Sequence, residues 1–153
     1  MKKVFLIILV VVFISFIGSL TPTRNVNFEN KPCLEPNDGY EFTLCNHLIA
    51  NLNDSIVVVP KGFKTDLASI PQFLWSIHAP NEARTIAPAI LHDYLYSYPA
   101  DLSRKEIDDI FHSALIDERV NPIKALEFWL AVRLFGKSNF HKGKYRYDES
   151  IQD

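Results

Sequence analysis

The sequence predicts an α+β protein with an N-terminal membrane helix, a short antiparallel β-ribbon and a compact bundle of about three helices. Three observations carry this prediction. An uncharged, mostly apolar run from Val4 to Leu20 opens the chain. Two β-rich stretches, around Tyr40–Cys45 and Ile56–Val59, are separated by turn residues. Three later stretches then combine helical apolar spacing with recognisable start signals. The 153 residues suffice for one domain. The expected division is a signal anchor or signal peptide over 1–20, a linker over 21–39, the α+β domain over 40–140 and a polar tail over 141–153.

Lys2 and Lys3 precede the apolar run. Its length matches the lower end of a membrane-spanning helix, about 17–25 residues, and exceeds the usual apolar core of a signal peptide, about 7–15 residues. Gly18 and Ser19 are its best small residues, and no Ala-x-Ala cleavage site follows. An uncleaved anchor is therefore the first reading and a cleaved signal the second. With the positive end retained in the cytoplasm, the domain is either anchored outside the inner membrane or secreted to the periplasm. The formal net charge of −2 argues against a general nucleic-acid binder. The basic residues Lys137, Lys142, Lys144 and Arg146 are followed by Asp148, Glu149 and Asp153, which reads as a solvated tail.

Cys33 and Cys45 are the two cysteines. In an oxidising compartment they are a disulfide candidate worth about 2–4 kcal/mol, the alternative being two thiols. The stretch 21–37, with Pro22, Pro32 and Pro36, reads as extended and mobile. Tyr40–Cys45 alternates like a half-buried strand, and Ile56–Val59 reads as a second, more deeply buried one. Residues 51–55 supply the turn, and the two strands are expected to pair. Thr65 or Asp66 is read as the cap of a short turn, and Ser69, followed by Pro71, as the cap of the next segment. Asp66 is alternatively a carboxylate aimed at a site.

The first helix of the bundle is expected to start at Asn81 or Thr85 and to run to about Ser97. Within it, Leu91-His92-Asp93-Tyr94-Leu95-Tyr96 places two titratable groups in an otherwise apolar segment, where they need partners or a role. His92 and Tyr96 are four apart and stack as neighbours. The second helix opens with a capping box, Ser103 and Glu106, and its apolar stripe includes Ile107, Ile110, Phe111, Ala114 and Leu115. Asp108 borders that stripe and is expected to face His92, while Asp109 points away. The third helix begins at Asn121-Pro122 and closes at Gly136, a C′ glycine. Being apolar on nearly all sides, it is expected at the centre of the core.

An imidazole held by a carboxylate is a general-base arrangement. In that reading His92 is the base, Asp108 orients it, Tyr96 hydrogen-bonds the pair, and Asp93 with Asp66 binds a hard cation, with calcium as the candidate. Water would be the nucleophile. In the other reading the same residues form a network satisfying buried polar groups. Arg84 and Arg133 are the candidate carboxylate partners, Arg133 the more internal; an arginine facing Asp108 would favour the network. His112, four residues after Asp108, is a minor ligand candidate, and His47, His78 and His141 read as surface residues.

Two resemblances follow from these residues. Val59-Pro60-Lys61-Gly62-Phe63-Lys64-Thr65-Asp66-Leu67-Ala68-Ser69-Ile70-Pro71, the His92 segment, Ser103-Arg104, Asp108, Phe111 and Val132-Arg133-Leu134-Phe135-Gly136 resemble a domain of unknown function found in phages and prophages. The resemblance covers about 40–140. The resemblance brings no activity with it; taken with the N-terminal anchor it points to a non-enzymatic envelope protein of phage or prophage type, for instance one that binds a partner and blocks superinfection or modifies the cell surface. Locally, His92-Asp93-Tyr94-Leu95-Tyr96 and Asp108-Asp109-Ile110-Phe111 are similar to the helices of secreted A2-type phospholipases. That similarity implies a general base at His92, a calcium ligand at Asp93, an orienting carboxylate at Asp108 and an ester substrate. It departs from that family in having Ile90 and Leu91 where a cysteine precedes the catalytic histidine, and in lacking a glycine-rich calcium loop.

Overall fold

The computed structural model describes residues 24–39, 41–53, 55–67 and 83–140. The N-terminal apolar run, the expected cap at Ser69, the possible helix start at Asn81 and the tail after Phe140 lie outside these residues. Among the described residues no helix is long and apolar enough to cross a membrane.

The β portion is two three-stranded antiparallel sheets rather than a single ribbon. Strands β1 (Val26–Phe28), β2 (Leu34–Pro36), β3 (Phe42–Leu44), β4 (Leu48–Leu52), β5 (Ser55–Val59) and β6 (Lys64–Thr65) are ordered β1-β4-β5 and β2-β3-β6. The stretch read as a linker thus contains β1 and β2. Both are three residues long, too short to show an alternating period, and Pro36 sits at the end of an edge strand, where its missing N–H costs no ladder bond. The two strands expected to pair belong to different sheets. β3 pairs with β2 and β6, and β5 pairs with β4.

The β4–β5 hairpin explains the misreading. Leu52 lies opposite Ser55, and Asn53, next after the strand, takes φ 45°, as the tight loop of a hairpin requires. Asn51 belongs to the strand. β4 buries Leu48, Ala50 and Leu52 on one face. β5 is an edge strand, and only Val59 is buried. Ile56 is 66% exposed and Val58 45%. Four consecutive β-branched residues therefore report strand preference and not burial. Phe63 N–H donates to the Pro60 carbonyl across a turn whose third residue, Gly62, has φ 87°. A disulfide joins Cys33 and Cys45 across the β2–β3 hairpin, with Cα atoms 5.2 Å apart.

Three helices follow: α1 (Ala83–Ser97), α2 (Arg104–Asp117) and α3 (Pro122–Phe135). Thr85 lies inside α1 and is not its cap, so Pro88 stands within the helix and not in a first turn beginning at Thr85. The reciprocal Ser103–Glu106 capping box starts α2, and Asn121 Oδ1 accepts from the Ile123 and Lys124 amides at the start of α3. The central helix is α2, packed between α1 and α3, and not α3. α3 buries Ala125, Phe128 and Val132 against Phe111 and Leu115 of α2, buries Ala131 as well, and leaves Ile123 and Leu134 each 70% exposed. Its uniform apolarity reflects two apolar faces, one of which points away from the core. Val26 N–H donates to Asp117 Oδ2 (2.7 Å), tying β1 to the C-terminal end of α2.

Candidate functional site

The short connection after Ser97 brings α1 back against α2, which sets His92 opposite Asp108. Both are buried: His92 is 3% exposed and Asp108 fully enclosed. His92 Nε2 lies 2.9 Å from Asp108 Oδ1, and the Tyr96 hydroxyl donates to the same oxygen at 2.6 Å. Arg133, from α3, donates through Nη1 to Asp108 Oδ2 at 2.7 Å. A single carboxylate on the central helix therefore gathers donors from both flanking helices.

Arg104 adds a second tie. Its Nη1 is 3.6 Å from Asp108 Oδ2, and its guanidinium donates to the Val132 and Arg133 carbonyls at 3.2 Å. A cation over the last carbonyls of α3 also complements that helix's negative end. The aromatic packing is equally close: the His92 ring centroid is 4.1 Å from that of Tyr96 and 4.7 Å from that of Phe111.

The electrostatics follow from this geometry. Burial works to raise the Asp108 carboxyl, but the hydrogen bond and charge of His92, with Tyr96 and Arg133, outweigh it and hold the group below the ordinary carboxylate range. An ionised carboxylate only accepts, so the His92 proton on this side sits on Nε2. Burial, reinforced by the Asp108 hydrogen bond and charge, pushes the Tyr96 hydroxyl above its ordinary range, which keeps it a donor.

The remaining predicted residues lie elsewhere. Asp93, one position on from His92 and so turned by about 100° around the helix, accepts from Thr65 Oγ1 of β6 at 2.5 Å. Thr65 is fully buried, and its Oγ1 also accepts from the Leu67 amide, folding the chain into a tight turn in which Leu67 has φ 53°. Asp66 is half-buried between these two residues. Asp109 turns away from Asp108 but is not simply solvated: Lys105 Nζ lies at 2.6 Å and Trp129 Nε1 donates at 3.1 Å. His112 packs beside Trp129, with ring centroids 6.1 Å apart, and burial lowers its pKa. Arg84 donates to the Arg119 carbonyl and is not a partner of the site carboxylates.

Sequence reasoning missed Thr65, Arg104 and the part played by Gly136. Gly136 does close α3, but with φ −72°, so no left-handed conformation demands glycine there. A Cβ at that position would lie 2.7 Å from the Tyr96 hydroxyl. The glycine lets the end of α3 approach the site. Its place after Val132-Arg133 was visible; the contact was not.

Asp108 is engaged by His92, Tyr96 and Arg133, and Asp93 accepts from Thr65; among the described residues no group of three or more His, Cys, Asp or Glu is arranged to hold a metal ion.

The fold and site define an α+β domain in which a buried carboxylate joins three helices. The sequence model of the family described as "Protein of unknown function (DUF1353)" matches residues 42–132. The chain belongs to that family. The match runs from β3 into α3 and includes Thr65, His92, Tyr96, Arg104 and Asp108. No curated protein and no solved structure matches the chain.

Proposed function

We propose that this chain is a membrane-associated envelope protein of phage or prophage type, held outside the cytoplasm by residues 4–20, and that it acts by binding at the cell surface, with exclusion of superinfecting phage as the role to test. In this reading the His92–Asp108–Arg133 cluster is a structural clamp and not a reaction centre. The observation that carries the clamp is the arginine on Asp108. Arg133 sits 2.7 Å from Oδ2 while His92 and Tyr96 share Oδ1, so the carboxylate is occupied by donors that hold helices together. Burial of His92 at 3% exposure agrees, since a general base must reach its substrate. The apolar run and its preceding lysines support the anchor.

The test is a phage challenge of cells producing the full chain, comparing native protein with His92→Gln and Asp108→Asn. Each plating efficiency is referred to the amount of folded protein. Protection that scales with folded protein supports a binding role. Protection lost at an unchanged folded level would overturn it.

One observation favours a second reading, ester hydrolysis: the 2.9 Å His92–Asp108 contact is that of an oriented general base. This reading requires hydrolysis of short-chain esters, measured with and without calcium, that His92→Gln abolishes. Purified full chain with no such hydrolysis would remove it.

A further inference from the structure

The outward face of α3 carries Ile123, Leu126, Leu130 and Leu134, spaced along one side of the helix over about 16 Å. Ile123 and Leu134 are each 70% exposed, and the two leucines between them are half-buried. Scattered exposed leucines are ordinary, but four apolar side chains in one row along a helix mark a contact surface, with the exposed Glu127 at its edge. None of these four side chains takes part in the Asp108 cluster.

The position of the row relative to the chain's start identifies its occupant. The apolar run ends at Leu20 and β1 begins at Val26. Six residues span at most about 20 Å. Val26 is hydrogen-bonded to Asp117 at the C-terminal end of α2, and α3 begins five residues after Asp117. A chain anchored through residues 4–20 therefore holds the N-terminal end of α3 within reach of the bilayer. Lys124 stands near one end of the row and Lys137 just past the other, followed in sequence by Lys142, Lys144 and Arg146. That pattern, apolar side chains with cations at both ends and one exposed carboxylate, Glu127, beside them, suits an anionic lipid surface.

We infer that α3 lies along the membrane and inserts Ile123, Leu130 and Leu134 into its interfacial region, so that the domain is held in one orientation and not merely tethered. The inference rests on the anchored reading above. Ile56 on β5, 66% exposed, remains in water and serves as the internal reference.

The full chain is prepared with a single environment-sensitive label at Ile123→Cys, Leu134→Cys or Ile56→Cys, the native disulfide being kept. It is reconstituted into vesicles of phosphatidylethanolamine and phosphatidylglycerol containing lipids brominated on the acyl chains. Side chains seated about 5–10 Å into the interface should give quenching at positions 123 and 134 at least about twofold that at position 56. Adding Leu134→Ser to the chain labelled at 123 should lower that quenching without moving the melting temperature. Equal quenching at all three positions in chains that float with the vesicles overturns the docking face and leaves the anchor standing. Shielding at 134 that grows with the protein-to-lipid ratio, and not with brominated lipid, assigns the row to a second copy of the chain and also overturns it. Failure to float overturns the anchor and the docking face together.

Discussion

Asp108→Asn is the most informative single substitution. It keeps the shape of the side chain and removes its charge. The structure indicates what is lost. Oδ1 accepts from His92 and Tyr96, and Oδ2 accepts from Arg133 with Arg104 nearby. An asparagine must present an NH2 group on one side, so it would set a donor against a donor at Arg133 or against two donors at His92 and Tyr96. Removing one partner of a buried ion pair costs about 3–5 kcal/mol. Arg133 and Arg104 retain some solvent contact, at 27% and 20% side-chain exposure, so the low end, about 3 kcal/mol, is expected here. For a chain of this size that corresponds to a fall in melting temperature of about 10 °C. Thermal unfolding followed by circular dichroism reads it directly. A variant melting within about 2 °C of the native protein would refute the idea that Asp108 joins the three helices.

Three further outcomes are expected. Gly136→Ala places a methyl group 2.7 Å from a Tyr96 hydroxyl that is itself fixed on Asp108, and should cost about 1–3 kcal/mol by urea unfolding; a neutral result would show that Tyr96 can move. Stability should be highest above about pH 6.5 and fall in two stages on acidification. His112 has a lowered folded pKa, so its neutral form is favoured and its contribution begins to erode once the pH drops below the unfolded histidine value. Asp108, also lowered, contributes fully above the unfolded carboxylate value and loses its contribution as pH falls through its folded value. In a melting series, His112→Gln should flatten only the first stage. Replacing Cys33 and Cys45 together by serine opens a loop with a sequence separation of 12 and should cost about 2–4 kcal/mol, read as a lower urea midpoint equal to that of the reduced native chain.

What could be read from the sequence was what depends on neighbours in sequence. The Ser103–Glu106 box and the Asn121-Pro122 start are local hydrogen-bonding devices, and both form as written. Choosing Asp108 over Asp109 as the inward carboxylate needed only the 3.6-residue period, and an arginine inside an apolar helix implied a buried acid for Arg133 to meet. Long-range pairing was not legible. β1 and β2 are three residues each, and their partners are fixed by Leu52 and Leu44 far along the chain. The depth of β5 and of α3 was overestimated for one reason: apolar residues look the same in sequence whether they face a core or the outside, as Ile56, Ile123 and Leu134 do. Thr65 and Gly136 act through single contacts, with Asp93 and with Tyr96, that no spacing rule encodes.

The clamp is tested most directly by a double-mutant cycle between Asp108 and Arg133, using Asp108→Asn, Arg133→Met and the double variant in urea unfolding. Residues sharing a 2.7 Å ion pair in a common network should couple by about 1–3 kcal/mol, with the double variant more stable than the sum of the single losses. Strict additivity would contradict a cluster in which Asp108 holds α3 to α2.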